Sequence, residues 1–407
     1  MSTTEKPHTS GQAPERRAPE SPESIAAPAP VRIDRPVLRA LAWYTISRLV
    51  VVVATIPSTF WGDPGAGPWP TLPPENVLLR ALGRWDGAWY IWVADRGYPT
   101  AHQFSHHLSE VAFFPLYPGV VRFLSSLTGW SELACGLLVA LAAGALATVL
   151  FWHFANHLAG RAVADRAVLL FVFFPGSFAL SMAYAECLMV AAAAGCLLAL
   201  LRRQWVLAGL AGALATASRP NGAAVVVACM VAAGVEIHRR RDWRALLAPL
   251  LATGGVTAFF AALWLRTGHP LAWFESERTM WHDHIGYGQG VASRVAGLVT
   301  HLPSLRSGGL NDLVGVAGAG VVAASMVALW RWRGSVVVRA YTAMALLVPT
   351  LSVAVGPRPR MLFGAFPMAV LASERWTGRA HRTVVVISAV LLAALTVVIT
   401  TSLASTP

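Results

Sequence analysis

The residues of this chain best suited to chemistry form one run, Arg84-Trp85-Asp86-Gly87. It continues through Tyr90, Gly97 and Tyr98 to Phe113-Phe114-Pro115-Leu116-Tyr117-Pro118. An acid beside a glycine that permits a tight backbone, flanked by aromatic rings, suits proton transfer next to a sugar carried on a lipid. A carboxylate within hydrogen-bond reach takes the proton of a hydroxyl as its oxygen attacks a phosphate-linked sugar, which makes Asp86 the candidate base. The competing reading has Asp86 cap the helix that the pattern predicts from Ala88 onward. Glu110 is either a second acid or a charge favoured at a helix N-terminus. Phe113 to Pro118, with Tyr117, reads as a wall for an apolar chain, as a sugar-stacking surface or as an interfacial anchor. Trp85 and Tyr98 are further candidates for substrate contact.

Other charged residues stand at the ends of apolar runs. Glu186 lies between two of them, where an acid is costly and usually functional, although a turn that reaches water holds it equally well. Arg219 and Asn221 occupy the corresponding turn of the next pair of runs. A guanidinium there can grip a phosphate through two parallel hydrogen bonds, while Asn221-Gly222 is also an ordinary turn signal. Arg358 and Arg360 bracket Pro359, placed either to stabilise a departing lipid phosphate or to snorkel to the interface. Arg48 falls within the first apolar run and calls for a bundle-facing partner, most simply a structural ion pair. His102, His106, His107, His282 and His284 match no zinc spacing, so neither a metal nor another cofactor is expected.

Membrane helices must position these residues. Of the 407 residues, 56% are hydrophobic and 13% charged, against about 25% charged in soluble domains. Apolar runs recur at 37–57, 133–153, 167–183, 186–201, 204–218, 221–238, 244–266, 310–331, 336–355, 361–373 and 383–403, which gives an all-α polytopic membrane protein of about 11 spans. The runs at 204–218 and 361–373 are short enough to be broken or re-entrant. Residues 1–36, rich in Pro, Ser, Glu and Ala, read as a disordered cytoplasmic tail and not as a signal peptide. The membrane domain follows over 37–403.

The net charge of +12 is not gathered into a basic domain, which excludes a nucleic-acid role. Arg161 and Arg166, Arg202 and Arg203, Arg239 to Arg241 with Arg244, Arg331, Arg333 and Arg339, and Arg375, Arg379 and Arg382 all fall on one side, the predicted cytoplasmic one. Two long connections, 58–132 and 267–309, then lie outside, together with most of the acids. Their length marks them as functional. Short apolar pieces at 76–82, 88–94 and 111–127 are candidate interfacial helices. Trp61, Trp69, Trp85, Trp89 and Trp92 fit an aromatic belt. Cys135, Cys187, Cys196 and Cys229 read as apolar packing residues. No P-loop or dinucleotide fingerprint is present.

Residues 84–98, Arg-Trp-Asp-Gly-x-Trp-Tyr-x-x-x-Ala-x-x-Gly-Tyr, followed by Glu110-Val-Ala-Phe-Phe-Pro-Leu-Tyr-Pro118, resemble the PIG-V family of mannosyltransferases, which includes GPI mannosyltransferase II and bacterial relatives. Further similar blocks follow in order. They are Phe174-Pro175-x-Ser177-Phe178 with Tyr184-Ala185-Glu186, Trp205-x-x-Ala208-Gly209-Leu210 with Ser218-Arg219-Pro220-Asn221-Gly222, Gly268 to Trp273, and Arg360-Met361-Leu362 with Phe366-Pro367. This chain departs from the family in carrying Ala185 where Ser is common and Met361 where Tyr is common. The resemblance implies a GT-C membrane fold and inverting transfer from a polyprenyl- or dolichyl-phosphate-mannose donor, without a nucleotide sugar, on the extracytoplasmic face. The partners it implies are a polyprenyl-phosphate-sugar donor, a glycan or glycolipid acceptor and membrane lipid. With it, Asp86 is the base, Glu110 and Glu186 hold hydroxyls, and Arg219, Arg360 and Arg358 contact the phosphate. Trp85, Tyr98, Tyr117 and Asn221 contact the substrates. The rival class, a transporter or flippase for a lipid-linked sugar, calls for polar groups at the midplane and two matched halves, and neither is visible.

Overall fold

A computed structural model describes residues 35–61, 70–73, 75–104, 109–301 and 307–401. The predicted N-terminal tail, up to residue 34, lies outside them, as do Trp69, His106 and His107. In chain order the helices are α1 (Arg35–Thr55), α2 (Val77–Leu82), α3 (Asp86–Arg96), α4 (Leu116–Thr128), α5 (Glu132–Ala159), α6 (Arg161–Val172), α7 (Glu186–Leu201), α8 (Trp205–Ser218) and α9 (Ala223–Arg240). They continue with α10 (Leu247–Ala252), α11 (Gly254–Thr267), α12 (Ala272–Thr279), α13 (Gln289–His301), α14 (Ser307–Arg331), α15 (Val336–Leu351), α16 (Met368–Arg375) and α17 (Gly378–Thr401). Among the described residues there is no strand, only an isolated antiparallel bridge between Ile285 and Ser352. Among the described residues, six helical stretches are long and apolar enough to cross a membrane: Arg35–Trp61, Glu132–Ala159, Pro220–Arg240, Trp243–Thr267, Asp312–Arg331 and Gly378–Thr401. Three apolar helices are shorter: Glu186–Leu201, Trp205–Ser218 and Val336–Leu351. The architecture is the expected all-α polytopic one.

Several predicted spans are divided, each for a local reason. The run at 167–183 ends as α-helix at Val172 and becomes a 3-10 turn over Pro175–Leu180. Pro175 lacks an N–H and pushes Phe174 out of the α region. The run at 336–355 stops at Leu351, and 361–373 breaks into the turns Pro359–Leu362 and Phe363–Ala365 before α16 begins beyond Pro367. The predicted interfacial pieces appear as α2, α3 and α4, the last delayed to Leu116 by Pro115.

Small residues let the central helices approach one another. α7, built largely from Ala, Leu and Cys, is buried on nearly all sides, with α5 and α8 against it. A Cβ on Gly209 would lie 2.7 Å from the Leu251 Cβ, and one on Gly212 would lie 2.6 Å from the Ala252 Cβ, so α8 seats directly on α10. Close backbone approach of this kind drives helix association in lipid, where hydrophobic exclusion is absent.

Arg48 corrects an expectation. Its partners are neutral groups and not a carboxylate: the Val172 carbonyl at 3.0 Å, the Ser177 carbonyl, and the Ser177 and Ser181 hydroxyls at 3.0 Å each. All of these lie where α6 breaks, so the guanidinium satisfies the acceptors that the break exposes and ties α1 to the 175–181 segment. Arg48→Ala should lower the thermal midpoint of the purified protein in detergent or nanodiscs, with roughly 1–3 kcal/mol lost per orphaned acceptor. Arg48→Lys should recover only part of this loss.

Candidate active site

The Arg84-Trp85-Asp86 run works as a clamp followed by a pointer. Arg84, fully buried, donates to the Thr400 carbonyl, and Trp85 Nε1 donates to the Ile399 carbonyl at 3.1 Å, so both anchor on the end of α17. Between clamp and pointer the backbone turns at Trp85, with φ 61° and ψ −127°. A bulky residue there stores strain and marks a position that its surroundings over-determine. The tight backbone sits at Trp85 and not at Gly87 as expected. Gly87 is inside α3, where an added Cβ would make only ordinary contacts at 3.4 Å with Ala183 and Tyr184. Asp86 is the first helical residue of α3 and makes no cap, since Trp85 holds the cap position.

Four charged side chains from distant segments meet beyond this turn. Arg360 Nη1 donates to Asp86 Oδ2 at 2.7 Å, and Arg360 Nε lies 3.2 Å from Glu186 Oε1. Arg219 Nη1 lies 3.0 Å from Glu186 Oε2 and 4.0 Å from Asp86 Oδ2. The contacts to Glu186 are charge contacts without hydrogen-bond alignment; the Arg360–Asp86 contact is a full hydrogen bond. The Arg360 guanidinium also covers the Tyr184 ring at 4.8 Å from its centroid. Burial works against the charge on Arg360, yet Asp86, then Glu186 and Tyr184, more than offset it, so its pKa is held above the ordinary guanidinium value. Exposure assigns the faces. The Glu186 and Arg360 side chains are 3% and 4% exposed, whereas Asp86 is 24% exposed and opens onto a cleft.

The cleft encloses about 570 Å³ and is lined on its charged side by Asp86, Arg219, Arg358 and Arg360. Burial, reinforced by Arg294 and Arg360, pushes Arg358 down to about 10. Aromatic rings make up much of the remaining wall: Trp89 stacks on Phe113 at 6.0 Å, and Trp281 meets both rings edge-on at 5.8 and 5.6 Å. A volume of several hundred Å³, with apolar walls and a few converging polar groups, is that of a small-molecule site.

Of the other predicted residues, Trp85 lines the cleft, whereas Glu110, Glu186, Tyr98, Tyr117 and Asn221 do not. Tyr98 donates to the Phe113 carbonyl at 2.6 Å and Tyr117 to the Gly136 carbonyl at 2.7 Å. Both are therefore supports of the wall. Asn221 Nδ2 reaches Met361 Sδ at 3.9 Å, and Met361 itself lines the cleft. Sequence reasoning missed Glu277 and Trp281, which line the cleft from the 267–309 connection. The only signal for them was the length of that connection. Burial, then the nearby Asp283 and Asp86 charges, push the Glu277 carboxyl up to about 8, with Arg219 acting in the opposite direction. Asp283 serves the scaffold: its Oδ1 accepts from Val353 N and Ala354 N at 2.9 and 3.1 Å, and its Oδ2 accepts from Ser352 Oγ at 2.7 Å. Among the described residues no group of three His, Cys, Asp or Glu side chains is placed to hold a metal ion.

The sequence profile of glycosyltransferase family 87 matches residues 112–357, more than half of the chain. No curated protein matches in sequence. Among solved structures, ArnT from Cupriavidus metallidurans bound to undecaprenyl phosphate superposes with a TM-score of 0.51 at 15% identity, covering 87% of this chain and 63% of that one. The apo state of the same protein gives a TM-score of 0.47 at 14% identity, with 84% and 62% covered. The archaeal oligosaccharyltransferase AglB from Archaeoglobus fulgidus, in complex with an inhibitory peptide and a dolichol-phosphate, gives 0.43 at 11%, with 89% and 56% covered. The chain thus spans about 63% of the length of the first of these, and that likeness shows a shared GT-C fold.

One contact sets the position of Arg360. A Cβ on Gly176 would run into the Pro359 carbonyl group and lie 2.9 Å from Arg360 N, both of them backbone. Gly176→Ala should therefore displace the Pro359–Leu362 turn and cut turnover by about 10²-fold, the scale of a 1 Å misplacement. Gly195→Ala, whose added Cβ would meet only a Leu150 methyl at 3.6 Å, should leave turnover near normal. Sugar-transfer rates of the two purified variants, normalised to folded protein, check this.

Proposed function

The chain belongs to glycosyltransferase family 87, and we propose that it transfers a hexose, mannose, from a polyprenyl-phosphate carrier to an extracytoplasmic glycan or glycolipid acceptor with inversion. The observation that carries this reading is the cleft in which a partly exposed carboxylate, Asp86, adjoins three buried arginines and an aromatic wall. The motif blocks that resemble PIG-V mannosyltransferases support mannose as the sugar. The GT-C fold, shared with a protein solved with undecaprenyl phosphate, supports a lipid-phosphate donor.

The reaction is a single displacement. An acceptor hydroxyl oxygen attacks the anomeric carbon from the side opposite the phosphate, and the carbon–oxygen bond to the phosphate breaks. The hydroxyl proton passes to Asp86, whose Oδ1 is the oxygen not engaged by the arginines. Polyprenyl phosphate departs with the bonding pair, and Arg360, Arg358 and Arg219 meet the charge it gains. Glu186, behind the arginines, holds them in place. The isoprenoid tail leaves the cleft sideways into the bilayer. The arginines gathered at the other end of the bundle support an extracytoplasmic site.

Asp86→Asn keeps the size of the side chain and one acceptor oxygen but removes the base. Single-turnover transfer from radiolabelled polyprenyl-phosphate-mannose should slow by about 10²–10⁴-fold, with donor binding and thermal stability largely kept. A well-folded variant with near-normal turnover would exclude Asp86 as the base. The orientation has its own check, because the four native cysteines are buried. A cysteine at Gln103 should react with a membrane-impermeant thiol reagent in intact cells, and one at Arg240 should not; the reverse pattern would place the cleft on the cytoplasmic side.

A further inference from the structure

Glu277 has no counterpart in the charge cluster. Its carboxylate has no ion-pair or hydrogen-bond partner among the described residues, while the other acids of the cleft are engaged: Asp86 by Arg360, and Asp283 by Ser352, Val353 and Ala354. It lines the cleft from α12, within electrostatic reach of Asp86 and Arg219. Trp281, four residues further on, lines the same space, and its Nε1 is fixed on the Ser109 carbonyl at 3.2 Å. A rigid indole beside a carboxyl group is a general solution for a pyranose: the ring's apolar C–H face packs on the aromatic face, and adjacent hydroxyls hydrogen-bond the carboxyl.

We propose that Glu277 and Trp281 form the acceptor subsite, and that the acceptor is a sugar whose ring stacks on Trp281 while neighbouring hydroxyls hydrogen-bond the Glu277 carboxyl. The inference rests on the glycosyltransferase reading and adds to it the residues that hold the acceptor sugar and the contacts each makes. The protonation state suits the role. With its carboxyl pushed up to about 8 by burial, Asp283 and Asp86, and only partly countered by Arg219, Glu277 is neutral at pH 7. It then offers one donor and one acceptor to a pair of hydroxyls. Above pH 8 it becomes acceptor-only, and the match is lost. Arg358 and Arg360 also face the cleft, but neither titrates in this range.

The test uses the full chain in lipid nanodiscs with polyprenyl phosphate bound, and octyl α-mannoside as the probe against octanol. Indole fluorescence should report saturable binding of the glycoside and none of octanol. Glu277→Ala should weaken binding by about tenfold or more, the scale of a lost hydrogen-bond pair. Glu277→Gln, which keeps a donor and an acceptor, should bind like the unaltered protein at pH 7. The unaltered protein should lose affinity as pH rises through 8, and Glu277→Gln should not. Unchanged binding in Glu277→Ala, equal binding of octanol, or no saturable glycoside binding would overturn the subsite. A rate loss of about 10²-fold or more in Glu277→Gln with acceptor KM unchanged would make Glu277 a base instead and overturn it equally. The proposed function fails separately, through absence of mannose transfer or donor hydrolysis with any polyprenyl-phosphate-mannose, while glycoside binding still judges the subsite.

Discussion

Glu186 opens α7 with its side chain 3% exposed, and a carboxylate withdrawn from water in this way persists only if cations reach it. Two do so, from segments far apart in sequence: Arg219 at the turn after α8, and Arg360 in the turn after Pro359. The N-terminus of α7 adds a favourable dipole. Because Arg360 also bonds Asp86, one buried charge fixes three other charged side chains at once. Removing one arginine leaves Glu186 with a single cation, and removing both strands a buried carboxylate; a buried pair broken on one side costs roughly 3–5 kcal/mol. The cluster therefore holds the bundle ends together and sets the electrostatics of the cleft.

The remaining devices aim this cluster. Arg84 and Trp85 bind the end of α17 and force the backbone through a left-handed conformation, which turns Asp86 towards Arg360. Gly176 admits the Pro359–Arg360 backbone at a distance that a side chain would forbid. Arg48 ties down the same 175–181 segment from α1. A strained turn, a close glycine contact and a buried guanidinium thus converge on two side chains. Such over-determination keeps reacting groups in register without reorganisation.

Much of this was legible in the sequence for a definite reason. Asp86, Glu186, Arg219 and Arg360 each stand at the end of an apolar run opposite the arginine-rich connections, so topology alone predicts that they share one end of the bundle. The direction in which a ring faces carries no such signature. Tyr98 and Tyr117 sit in the motif with the spacing of contact residues, yet their hydroxyls are used on backbone carbonyls behind the wall. Glu277 and Trp281 lie in a connection whose fold is set by long-range pairing, through Asp283 to the 352–354 segment and Trp281 to Ser109. No local pattern encodes those contacts. Pro175 and Pro367, by contrast, announce the breaks near the site by ordinary backbone rules.

The central claim is that the Asp86–Arg360–Glu186–Arg219 cluster is built to face a lipid-linked phosphate. The most direct measurement is an experimental structure of the protein in nanodiscs with polyprenyl phosphate. The account predicts phosphate density in the cleft, within about 3 Å of a guanidinium nitrogen of Arg360 or Arg358, with the isoprenoid tail passing out between helices. Phosphate density at the opposite end of the bundle, near Arg39 and Asp165, with the cleft empty, would contradict it.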